Sequence, residues 1–62
     1  MSLMTREDIR FEIHDIIAEL RIVKRRLEEL LPLVKSNVRK NDLRSIITYI
    51  EWAIEGLEER IR

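Results

Sequence analysis

Acids, bases, one histidine, the serines Ser36 and Ser45 and an aromatic pair are the side chains of this 62-residue sequence considered for chemistry. Asp8, Glu12, Asp15 and Glu19 recur three and four residues apart, so on a helix they form one acidic stripe. Like charges at that spacing destabilise a helix by about 0.2–0.5 kcal/mol per pair, so something must offset them. A bound cation or arginines of another helix would do so. Glu12 and Glu19 border the apolar stripe described below, which favours interhelical ion pairs. His14 has Arg10, Phe11, Ile17 and Ala18 three and four residues away, none of them a carboxylate. Phe11 stands where the acid of a Glu-x-x-His di-iron unit would be. Neither Ser36 nor Ser45 has an orienting His–Asp pair nearby, and a single glycine rules out a glycine-rich phosphate loop. With no cysteine, a thiolate zinc site and a disulfide framework are excluded. The expectation is a non-enzymatic protein with no catalytic residue, no metal and no cofactor.

Two basic groups suggest an anion or nucleic-acid contact. Arg21, Lys24, Arg25 and Arg26 are the denser one; Lys35, Arg39, Lys40 and Arg44 surround the middle of the chain. On a helix they could line up phosphates. No aromatic side chain interleaves them, so base stacking has no platform. Lys24 with Glu28 and Arg25 with Glu29 stand four apart and could pair within the helix instead. Tyr49, Trp52 and Gly56 form a different candidate, a partner patch. They fall off the apolar stripe of their helix, and Gly56 leaves a shallow place beside the ring of Trp52.

The elements that must position these residues are helices. Thr5 can cap a first helix, with Glu7 and Asp8 in the first turn and Asp8 closing a capping box. Apolar residues then fall at Ile9, Ile13, Ile16, Leu20, Val23, Leu27, Leu30 and Val34, with alternating spacings of four and three, and Ile17 and Leu31 widen the stripe. Pro32 ends this helix near Leu31, or kinks a helix that runs on to Lys35. Residues 36–41 are expected as the connection, with Asn41 or Asp42 capping a second helix over 42–61. That helix carries Leu43, Ile47, Ile50, Ile54, Leu57 and Ile61 in the same rhythm, widened by Ile46 and Ala53. Met1–Met4 are expected as an extended or disordered lead-in, part of it a remnant of expression ahead of a native Met4.

The fold class that follows is all-α: an antiparallel two-helix hairpin whose stripes are each wider than one helix–helix contact covers. Small domains without disulfides or metals commonly depend on oligomerisation. The surplus apolar surface therefore predicts a homodimer forming a four-helix bundle, with the apolar residues named above, Ile9 through Ile61, as its dimer and core positions. Equal numbers of acids and bases, twelve each, are unevenly placed: residues 6–20 carry −3, residues 21–44 carry +5 and residues 45–62 carry −2. A hairpin would thus be acidic at one end and basic at the connection. Two copies with their connections at opposite ends set unlike charges side by side. In length and helix plan the chain resembles the Rop type of architecture, a short helical hairpin that doubles into a four-helix bundle. No motif residue matches, so no RNA-binding residue is carried over.

Function is expected to be self-association and protein interaction. The alternative is a small dimeric nucleic-acid-binding regulator using the basic residues near the connection. No apolar run reaches the length of a membrane span, and no signal-peptide pattern is seen, so no membrane partner and a cytoplasmic location are expected.

Overall fold

The structure, a computed structural model, describes residues 4–62, so most of the expected Met1–Met4 lead-in lies outside the described residues. Helix α1 spans Arg6–Leu30, a single 3₁₀ turn spans Leu31–Leu33, and helix α2 spans Asn37–Arg60. The two helices pack antiparallel into a hairpin measuring 48 × 20 × 17 Å, with no strand among the described residues.

Helix α1 starts where the cap chemistry places it. The Thr5 hydroxyl oxygen accepts from the Asp8 N–H at 3.1 Å, and the Asp8 carboxylate accepts from the Thr5 N–H at 3.0 Å. That backbone hydrogen bond, and then the Thr5 hydroxyl, hold the Asp8 carboxyl below its usual value of 3.8. The folded state therefore favours ionised Asp8. This contribution is complete above the usual carboxylate value and disappears as the pH falls through the depressed one. Asp8→Asn is expected to lower the thermal midpoint at neutral pH and to flatten its decline on acidification. Melts from about pH 7 to about pH 2 check this, and a variant that tracks the parent curve at every pH would refute it.

Pro32 decides the other end of α1. It has no N–H to give to the Glu28 carbonyl, so the α-helical ladder stops and the chain closes one 3₁₀ turn, Val34 N–H to Leu31 carbonyl at 3.2 Å. The helix continued through a kink to Lys35 does not form. The connection is also shorter than expected. Ser36, not Asn41 or Asp42, caps α2: its hydroxyl oxygen accepts from the Arg39 N–H at 3.4 Å. Residues 37–41, expected in the connection, are the first turn and more of the helix. Asn41 instead accepts a side-chain hydrogen bond from Arg44 at 3.3 Å. At the far end the Arg10 guanidinium donates to the Ile61 carbonyl at 2.8 Å, satisfying a carbonyl that the end of α2 leaves free. This clamp ties the start of α1 to the end of α2.

The interior is a single seam. Among the described residues Ile17, Ile47, Ile54 and Ile61 are buried, and Ile13, Leu20, Ile50 and Leu57 pack half-buried against Ile17, Ile54 and Ile61. Leu27 and Leu43 continue the half-buried row toward the connection. The remaining expected core positions, Ile9, Ile16, Val23, Leu30 and Ile46, stay outside this seam and are 42–49% exposed in the single chain.

Candidate functional site

Helical geometry explains why those five positions stay outside. At about 100° per residue, a position four further on lies about 40° to one side and a position three further on about 60° to the other. On α1, Ile13, Leu20 and Leu27 form one column. Ile17, Lys24 and Leu31 form the next on the near side, and all are buried or half-buried. Ile9, Ile16, Val23 and Leu30 form the column on the far side, and all are exposed. A contact between two helices is narrower than three columns, so it takes the nearer pair and leaves the third. On α2, Ile47, Ile54 and Ile61 are deepest, Glu51 and Glu58 lie on one shoulder, and Ile46 and Ala53 on the other.

The hairpin consequently has two unlike flanks. In antiparallel helices, columns offset in the same sense from the seam emerge on the same side of the pair. One flank is closed by ion pairs, Lys24 to Glu51 at 3.2 Å and Arg21 to Glu58 at 2.9 Å. Lys24 is a seam residue whose aliphatic stem lies between the helices while its ammonium reaches Glu51. The opposite flank carries Ile9, Ile16, Val23 and Leu30 of α1 beside Ile46 and Ala53 of α2, with no ion pair across it among the described residues. Glu12, Glu19 and Arg26, spaced by seven, border this open flank along α1. The expected partners of Glu12 and Glu19 are not found within the hairpin: among the described residues, the cross-helix ion pairs use Glu51 and Glu58.

The basic candidates are dispersed. Arg21 and Lys24 are engaged across the seam, and neither Lys24–Glu28 nor Arg25–Glu29 forms an ion pair. Arg25 and Arg26 point elsewhere on α1, and Arg39, Lys40 and Arg44 belong to the first two turns of α2. Lys40 is half-buried, while Arg39 and Arg44 are exposed. His14 lies with Arg10, Glu55, Glu58, Glu59 and Arg62 around a polar depression of about 520 Å³ at the end opposite the connection. No three His, Asp or Glu side chains among the described residues converge to hold a metal ion.

Tyr49 and Trp52 project from the back of α2, about 60% exposed, with ring centroids 5.8 Å apart and planes tilted at 55°. A side chain at Gly56 would meet nothing within 4 Å, so the notch beside the rings is open. The patch faces away from both the seam and the open flank. Near the connection, a mainly apolar groove of about 630 Å³ is lined by Leu33, Val34, Lys35, Arg39 and Leu43. Arg39 and Leu43 stand seven residues before Ile46 and Ile50, so the groove continues the open flank.

Not foreseen from the sequence were Lys24 as a seam residue, Glu51 and Glu58 as the flank partners of Lys24 and Arg21, and Arg10 as a helix clamp. Lys24 did carry a signal, standing four after Leu20 and seven after Ile17. No helix is long and apolar enough to cross a membrane. No family model matches the chain, and no curated protein or solved structure is found to be similar to it.

Proposed function

We propose that the chain is a non-enzymatic self-association and protein-interaction module, acting as a homodimer in which two hairpins join by their open flanks into an antiparallel four-helix bundle. The observation that carries this is the exposed column Ile9, Ile16, Val23 and Leu30 beside Ile46 on one side of the hairpin only. Fully burying an aliphatic side chain of this size stabilises by about 1.5–3 kcal/mol, and a second copy supplies the same surface in return. Charge sets the direction. With connections at opposite ends, the basic middle segment of each chain lies beside the acidic ends of the other.

The Tyr49–Trp52 patch stays free in such a dimer and is the surface available to another protein. Two side chains that a nucleic-acid face would need, Arg21 and Lys24, are already neutralised by Glu58 and Glu51, which favours a protein partner over a phosphate backbone.

Sedimentation equilibrium tests the association. The expected mass at micromolar concentration is about 15 kDa, twice the 7.5 kDa of one chain. It should persist at about 1 M salt, where the Debye length is about 3 Å and only the apolar contact remains at full strength. A 7.5 kDa species under both conditions would overturn the proposal.

A further inference from the structure

The groove beside the connection is mainly apolar and open, and the register of the open flank decides what reaches it. Ile9, Ile16, Val23 and Leu30 repeat every seven residues, so the column is symmetric about its midpoint between Ile16 and Val23. A two-fold axis through that midpoint, perpendicular to α1, pairs Ile16 with the partner's Val23 and Ile9 with the partner's Leu30. It sets Glu12 within about one residue rise, 1.5 Å, of the level of the partner's Arg26, an acid against a base. Glu19 meets its own copy at the axis, a like-charge contact that the column and the Glu12–Arg26 pairs must outweigh.

Followed to its end, the same register carries the residues ahead of α1 over the partner's connection. Thr5 comes level with the partner's Val34, and Met4 with the partner's Lys35. Met4 is 55% exposed in the single chain. The groove waiting there is lined by Leu33, Val34 and Leu43 and edged by Lys35, Ser36, Arg39 and Asp42. Thr5 and Arg6 separate Met4 from Glu7 and Asp8 in the first turn of α1. An exposed apolar side chain at that level matches a mainly apolar groove that continues the open flank.

We infer that each connection groove is a socket for Met4 of the other chain, so that two such contacts close the two ends of the dimer. The inference rests on the self-association proposed above. It makes the groove a site completed only by the second copy, with Met4 as the apolar plug.

The sequence has no cysteine, which allows a direct test. The double variant Met4→Cys with Val34→Cys places two thiols about 45 Å apart within a chain, at 1.5 Å per residue, far beyond the roughly 7 Å that a disulfide can bridge. Under mild oxidation at micromolar concentration, most chains are expected as disulfide-linked pairs on a non-reducing gel, whereas Met4→Cys alone stays unlinked. Efficient linkage of Met4→Cys alone would place both connections at the same end and overturn the inference. A two-chain mass in sedimentation without linkage of the double variant would also overturn it while leaving the dimer intact. A one-chain mass would remove the dimer and the socket together.

Discussion

Ile16→Asp reduces the protein to single chains and removes much of its helical signal; Val23→Asp does the same. In an isolated hairpin both positions are more than 40% exposed, so an aspartate there would cost little beyond its weaker helix propensity, about 0.5 kcal/mol. In the proposed paired flanks the same side chain would be buried against apolar neighbours, and each substitution would occur twice. Burying even a neutral polar group without a partner costs about 1–3 kcal/mol in proteins, and a carboxylate costs more. With the apolar burial also lost at both copies, self-association should weaken at least about a thousandfold, which corresponds to about 4 kcal/mol. The control is Ile22→Asp. Ile22 is 49% exposed, but its position turns it to the back of α1, away from the open flank. Sedimentation and circular dichroism of the three variants decide the matter. If Ile16→Asp and Ile22→Asp behave alike, the flank is not an interface.

Ile17→Ala unfolds the protein at ambient temperature. Ile17 is the most buried residue of the hairpin at 3% exposure, and it lies between Ile54 and Ile61. Truncating a buried isoleucine to alanine typically costs about 2–5 kcal/mol, because both the transfer free energy and the packing around the vacated space are lost. Domains of this size are marginal, and this one has a single seam with four buried residues to draw on. The same truncation at Ile9, which is 47% exposed and lies at the end of its column, should cost less than half as much. Urea titrations followed by circular dichroism measure both. An Ile17→Ala midpoint within error of the parent would mean that the seam is not what holds the hairpin together.

Much of the architecture was legible because helical periodicity and cap chemistry act locally. The alternating four-and-three spacing fixed two helices, Thr5 and Asp8 marked the start of the first, and Pro32 marked its end. The start of α2 was misplaced for a physical reason. Its apolar rhythm begins at Leu43, yet the helix begins at a cap, and Ser36 supplies one before any core contact is made; Val38, in the first turn, is 70% exposed. Which flank of the stripe would form the seam was not legible either. Columns on both sides of Ile13, Leu20 and Leu27 were apolar, and Lys24 counted against the side that is used. Only the carboxylate of Glu51, twenty-seven residues away, makes a lysine fit there. Long-range pairs of this kind also engage Arg21 and Lys24 of the basic cluster. The outward position of Tyr49 and Trp52, by contrast, follows from their offset against Ile50, Ile54 and Leu57 and needed no tertiary information.

The unlike flanks of the hairpin also bear on where growth stops. A hairpin sticky on both sides would stack indefinitely, each new subunit presenting a fresh surface to the next, and would end as a fibre. Here Lys24–Glu51 and Arg21–Glu58 seal one side with hydrated charge. In the proposed dimer an isologous contact on the other side would consume the apolar column of each participant, and the ion-paired flank offers no second column for a third. The two ion pairs contribute little to stability, since exposed pairs are worth about 0–1 kcal/mol. In the proposed dimer they would supply a stopping rule, and replacing them with leucines is expected to turn a finite particle into an open-ended polymer.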